Sequence, residues 1–226
     1  MKRWCIPPEQ NAAFAAMEDI LAVYARPIDP ARPLVCFDEA GKQLQDHARP
    51  PQPAAPGQAA KEDSTYHRHG AADVFLACAP HQGWRQAWST EQRATPDFAS
   101  AVRRVVDEWF PTAERIVLVT DNLNTHTPAA FYRAFPPAEA RRLVAMLEWH
   151  YTPVHGSWLN MAELELAVLT SQCLDRRIPD RATLDRELQG WCDERNAAAT
   201  TISWTYSLDD ARINLAHVYP IPQPDN

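Results

Sequence analysis

The run Ile116-Val117-Leu118-Val119 constrains the fold of this chain more than any other segment. A strand wetted on one face alternates apolar and polar side chains. An unbroken aliphatic and β-branched run is satisfied only when both faces are covered. Such a strand belongs at the centre of a sheet with helices on either side, usually beside parallel neighbours. The run stops at Thr120-Asp121-Asn122, so an acid stands just past its carboxyl end.

Other segments supply the rest of that architecture. Leu34-Val35-Cys36-Phe37 reads as a short buried strand ending in Asp38-Glu39. Val74 to Ala79 and Trp84 to Ser89, joined by the turn Pro80-His81-Gln82-Gly83, read as a hairpin. Trp149 to Thr152 reads as a fifth strand, stopped by Pro153. A helix opens at Thr95-Pro96-Asp97, with Thr95 as cap, proline in the first turn and an acid favoured by the helix dipole. Further helices follow Thr127-Pro128, span Arg141 to Leu147, run through Met161, Leu164, Val168 and Leu169, and extend from about Thr183 to Arg195. The order of strands and helices predicts an α/β layer structure with a mixed sheet.

Before this lies a helical stretch from Asn11 to Tyr24 with Phe14, Met17, Ile20 and Leu21 on one face. Residues 1–30 therefore read as an N-terminal helical extension, 31–200 as the main α/β domain and 201–226 as a C-terminal tail. Pro50, Pro51, Pro53, Pro56 and Gly57 make about 48–60 a surface arm with no regular element.

At 226 residues and 46% hydrophobic, the chain can bury one substantial core. No apolar run approaches the roughly 18 residues that cross a bilayer. The basic start Met1-Lys2-Arg3 is followed by Pro7, Pro8 and Glu9, so no secretion signal is read and a cytoplasmic protein is expected. Five scattered cysteines without a C-x-x-C pair predict free thiols in a reducing compartment. His67 and His69 read either as half a metal site or as a solvated loop pair. The formal charge of −7 argues that this chain alone does not hold DNA tightly, because phosphate binding draws on Lys and Arg.

Three acids stand where chemistry could use them: Asp38 and Asp121 after strands, and Glu163 in the first turn of a late helix. Carboxyl ends of neighbouring strands in an open α/β sheet are where ligands gather. Hard carboxylate oxygens suit magnesium or manganese. Each acid also has a plainer reading. Asp38 could cap a turn, Asp121-Asn122 is good turn chemistry, and Asn160 with Glu163 could form a variant capping box. Glu165 is a rival ligand that points away from Glu163 on a helix. Glu39 and Asp46 read as solvated.

The words around these acids narrow the choice. Asp121-Asn122-Leu123-Asn124-Thr125-His126 and His155-Gly156-Ser157-Trp158-Leu159-Asn160-Met161-Ala162-Glu163 resemble the bacterial insertion-sequence transposases of family six-thirty, which are distantly related to the mariner elements. Lys42-Gln43-Leu44, Cys173-Leu174-Asp175-Arg176-Arg177, Asp210-Ala211-Arg212 and Tyr219-Pro220 extend the likeness over roughly residues 30 to 220. The resemblance implies an RNase H-like α/β fold with a mixed five-stranded sheet flanked by helices. It implies Asp38, Asp121 and Glu163 as catalytic, metal-binding carboxylates for Mg2+ or Mn2+, two ions in all. It further implies DNA as partner, both transposon ends and target, and a homodimer as the active complex. Lys42, Asn124, His126, His155, Ser157, Trp158 and Asn160 are candidate auxiliary or DNA-contacting residues. For His126 a backbone-bonded helix-start role is equally open.

Three departures from the family pattern stand out. Val154 occupies a position where relatives commonly carry Lys. Thr205 and Asn214 lie where relatives show basic residues. The helix-turn-helix modules that precede such catalytic domains are not read in this chain. A non-catalytic remnant, a different RNase H-like nuclease and a two-carboxylate glycosidase remain as alternative readings.

Overall fold

The structure is a computed structural model that describes residues 11–154 and 156–219. His155 and Pro220, both part of words quoted above, lie outside the described residues. Within them the chain forms one five-stranded sheet with helices on both faces. In chain order the elements begin with α1 (Asn11–Tyr24), β1 (Leu34–His47), β2 (Tyr66–Ala79), β3 (Trp84–Thr90), α2 (Thr95–Arg104) and β4 (Ile116–Thr120). They continue with α3 (Ala129–Ala134), α4 (Pro137–Ala145), β5 (Leu147–Tyr151), α5 (Met161–Leu169), α6 (Arg181–Ala197) and α7 (Leu208–Asn214). Single π turns extend α2 to Trp109 and α5 to Leu174.

The strand order is β3-β2-β1-β4-β5. β1 runs antiparallel to β2 and parallel to β4, while β4 runs parallel to β5. Every residue of β4 is buried, as its uninterrupted apolar run requires. Alternation along the strands divides the core in two. Cys36, Val117 and Val119 meet α1, α5 and α6 on one face. Val35, Phe37, Ile116 and Leu118 meet α2, α3 and α4 on the other. The segment read as an N-terminal extension buries Phe14, Met17, Ile20 and Leu21 in the first of these clusters, and α7 of the tail adds Ala211 to it.

Several boundaries differ from expectation. β1 and β2 are each 14 residues long, so Asp38 lies inside a strand and not after one. The extra length is an antiparallel ribbon beyond the parallel sheet, polar and largely exposed, and an apolar run marks only the part buried on both faces. α2 is capped at Ala94, not Thr95; Asp97 Oδ2 accepts the Ala94 N–H at 2.9 Å. α4 starts at Pro137, where a missing N–H costs nothing. Leu147 then belongs to β5. The proline arm is paired after all: Gln52 and Lys61 exchange backbone hydrogen bonds, as do Ala55 and Gln58. His67 and His69 lie on the exposed start of β2 and not in a loop. The four described cysteines are buried and free. No described helix is long and apolar enough to cross a membrane.

β3 would leave a row of open amides at the sheet edge, a liability for pairing with other chains. α6 covers it with side chains spaced along one helix face. Asn196 Oδ1 accepts the Arg85 N–H at 2.8 Å, Cys192 Sγ the Ala87 N–H at 3.1 Å and Asp185 Oδ1 the Ser89 N–H at 3.0 Å. The Arg85 side chain is fully buried beneath this seam. It donates to Glu165 Oε1 at 2.9 Å and to the carbonyls of Gly83, Arg195 and Thr200, while Arg195 Nε reaches the same Glu165 oxygen at 2.7 Å. Glu165 thereby ties α5 to β3 and α6, away from Glu163 as the helical spacing predicts.

Removing one partner of a buried ion pair leaves the other charged and unpaired. Glu165→Ala is therefore expected to lower unfolding stability by about 3–5 kcal/mol, read from urea denaturation. A loss below 1 kcal/mol would show that Arg85 is held adequately by the three carbonyls alone.

Candidate active site

Residues 36 and 119 are partners across the parallel β1–β4 pair, so continuing the register by two sets Asp38 abreast of Asp121. β4 ends at Thr120 while β1 continues, which opens a gap at the carboxyl end of β4. Asp38 is 9% exposed and shares the strand face of Cys36, the face covered by α5. Its Oδ1 accepts the Glu39 N–H at 2.8 Å. The fully buried Asn160 links it to α5. Asn160 Nδ2 donates to Phe37 O at 2.9 Å and lies 3.4 Å from Asp38 Oδ2, and its Oδ1 caps α5 by accepting the Ala162 N–H at 3.1 Å. Tyr24 on α1 fixes the same helix entry, donating to Leu159 O at 2.7 Å.

Glu163 follows one turn into α5. It does not close a capping box with Asn160; its Oε2 is buried and has no hydrogen-bond partner. Burial pushes the Asp38 carboxyl up to about 7. The Glu39 N–H opposes that rise, while the charges of Asp121, Glu39 and Glu163 add to it. Three candidate ligands thus act electrostatically on one point. As placed, no three His, Cys, Asp or Glu side chains among the described residues close into a metal-ligating group. The donor set still fits a hard divalent cation: all oxygens, mutually repelling, one of them buried without a partner.

Asp121, just past the end of β4, is held by a histidine. His126 Nδ1 donates to Asp121 Oδ1 at 2.5 Å, with the Thr120 hydroxyl 3.1 Å from the same nitrogen. The ring stacks on Phe98 at 4.2 Å and is 1% exposed. Its Nε2 lies 3.2 Å from Glu39 Oε2, at ion-pair distance though not aligned as a hydrogen bond. Burial alone would lower the His126 pKa. The hydrogen bond it donates to Asp121 and the nearby Glu39 carboxylate outweigh it, raising the ring to about 9.

Glu39 is the residue that the sequence reading misplaced. Its side chain is 2% exposed, not solvated. The signal was strand parity: Val35, Phe37 and Glu39 share a face, and an acid on a core-facing position needs a buried cation. Asp46, by contrast, is exposed as expected. Of the other candidates, Lys42 donates to the carbonyls of Leu174 at 2.6 Å and Arg176 at 2.8 Å, closing the end of the α5 π turn. Asn124 and Ser157 are exposed near the site, and Trp158 packs edge-on against Tyr206. A cavity of about 300 Å3, lined by Val23, Leu34, His81 and Val117 among others, lies at the opposite ends of β1 and β4 and contains none of the three acids.

A mixed sheet of this order, with helices on both faces and acids at the end of β4, is an RNase H-like domain. The DDE superfamily endonuclease profile matches residues 33–185, more than half of the chain, and the chain belongs to that family. Among solved structures it is similar to the Mos1 mariner paired-end complex with Mn, with 17% identity, TM-score 0.55, 88% of this chain and 62% of that one covered. The Mos1 paired-end complex with left transposon end and the Mos1 strand transfer complex each give 17% identity and TM-score 0.54, covering 88% of this chain and 61% of theirs. The chain therefore spans somewhat under two thirds of that transposase. No curated protein matches it.

An acid with a folded pKa of about 7 against an ordinary value of 3.8 binds its proton more tightly when folded. The associated stability is present in full below about pH 4 and is lost as pH rises toward 7. Asp38→Asn is expected to stabilise the protein in EDTA at pH 8 by about 2–4 kcal/mol. Denaturant titrations at pH 4 and pH 8 check this, since the gain vanishes at the lower pH.

Proposed function

We propose that this chain is the catalytic domain of a metal-dependent DNA transposase, cutting DNA at element ends and joining the freed 3′-hydroxyl to a target. The observation that supports this reading is that the charges of Asp121 and Glu163 both act on Asp38 beside the end of β4, with a Glu163 oxygen buried and unpaired, inside the region matched by the family. The crystallised relatives are transposase complexes with transposon ends, one of them with Mn, which supports DNA and a divalent cation as partners here.

Asp38, Asp121 and Glu163 would hold Mg2+ or Mn2+, two ions in all. When bound, such ions activate the attacking hydroxyl and stabilise the leaving oxygen of a phosphodiester. The protein contributes positioning. β1 fixes Asp38 at the sheet edge of the gap, Asn160 sets α5 against it, and the N-cap orients Glu163 in the first turn. The words around Asp121 and Glu163 support placement in the bacterial insertion-sequence group of family six-thirty, acting as a homodimer in the cytoplasm. The paired arm between β1 and β2 is exposed along 49–61 and stands free to meet DNA or a second subunit. Its base is tied down by Arg177, whose guanidinium donates to the carbonyls of Asp63 and Thr65.

Supercoiled plasmid nicking in Mn2+ tests the reading, with Mg2+ and EDTA controls. Wild type is expected to nick and Asp121→Asn to lose activity on the order of 100-fold or more. Equal nicking by both proteins, or none by either, would favour a non-catalytic remnant.

A further inference from the structure

We infer that Glu39 and His126 are positioning residues for Asp121: a buried carboxylate–imidazole pair that holds Asp121 by one oxygen and leaves the other free to ligate. This rests on the reading of Asp121 as a metal ligand and adds two residues with a defined task.

The need for such a device follows from where each acid sits. Asp38 is held by a strand and Glu163 by a capped helix. Asp121 has just left β4 and enters a loop, with no regular backbone to fix its side chain. Both hydrogen bonds made by its carboxylate fall on Oδ1: the His126 Nδ1 at 2.5 Å and the Leu123 N–H at 3.4 Å. Oδ2 carries neither. A carboxylate tied through one oxygen presents the other in a fixed direction, as metal ligands generally are when a neighbour orients them.

His126 can do this only if its ring cannot turn. Phe98 stacks on one side, Phe37 meets it edge-on at 6.0 Å, and Glu39 sits at the far nitrogen. A carboxylate oxygen 2.5 Å from Nδ1 can only accept, so Nδ1 is the donor and does not present a lone pair to a cation. Glu39 reaches that position because it follows Asp38 on a strand. Neighbouring residues project to opposite faces, so one backbone segment supplies a ligand to the α5 side and an anchor to the α2 side. The arrangement also explains why a fully buried acid and a fully buried histidine occur together at the end of an otherwise apolar face.

The test uses a matched pair of substitutions in the full chain. The His126→Asn amide can overlay Nδ1 and keep the bond to Asp121; the His126→Gln amide can overlay Nε2 and keep only the contact to Glu39. Mn2+ binding is measured by calorimetry and by the electron paramagnetic resonance of free Mn2+, with Asp121→Ala alongside and circular dichroism to verify folding. His126→Gln is expected to weaken Mn2+ roughly 10–100-fold, and His126→Asn clearly less. Equal affinities for the two folded variants and wild type would overturn the inference. If Asp121→Ala also binds Mn2+ like wild type, the metal-site reading itself fails; if only Asp121→Ala is impaired, the positioning inference alone fails. Should either variant not fold, nitrogen-15 histidine spectra of the wild type decide. A proton on His126 Nδ1 supports the pair, and a bare Nδ1 overturns it.

Discussion

The parallel pairing of β1 with β4 is the constraint on which the rest of this molecule depends. Three residue pairs, from Leu34 with Val117 to Cys36 with Val119, hold the two strands together. Beyond them β4 stops and β1 goes on, so two acids at equal register face a gap that no strand fills. A parallel pair needs both faces covered, which is why α1, α5 and α6 crowd one side and α2 to α4 the other. The helices that cover the strands then become the supports of the acids: α5 brings Glu163, and the loop into α3 brings His126.

Gathering carboxylates at one end of a sheet works against folding, and the structure places its compensation elsewhere. Asp38 is buried among like charges, and its pKa is raised first by that burial and then by their repulsion. On the far side of α5, two residues from Glu163, Glu165 is locked between Arg85 and Arg195. The same helix therefore carries one acid that is fully paired and one with a buried oxygen unpaired. The difference lies in which face each meets: the sheet edge guarded by α6 for Glu165, the open strand end for Glu163. A site of this kind is preorganised for a cation because the fold, and not the ligand, bears the cost of bringing the charges together.

Much of the scaffold was legible in the residues. The helix from Asn11 to Tyr24 and the strand at Ile116 have strong periodic or apolar signals and were placed where they occur. The three acids were singled out as candidates by the words around them. Less legible were features without an apolar signal. The outer halves of β1 and β2 are polar ribbon, held by backbone hydrogen bonds that any side chain permits. The proline arm pairs across Gln52 and Lys61 for the same reason.

Composition and pattern by themselves determined the α/β class, the buried strand at Ile116 with Asp121 just past its end and Glu163 at a helix start, because burial on both faces and helical spacing leave marks along the chain. The partnerships were decided only by tertiary structure. That Glu39 is buried against His126, that Asn160 bridges Phe37 and Asp38 to the start of α5, and that Glu163 keeps an oxygen unpaired all depend on how segments far apart in the chain are brought together. A local pattern records how much a residue is covered. It does not record what covers it, and for a charged group the identity of the neighbour decides whether the residue is a strut, an anchor or a ligand.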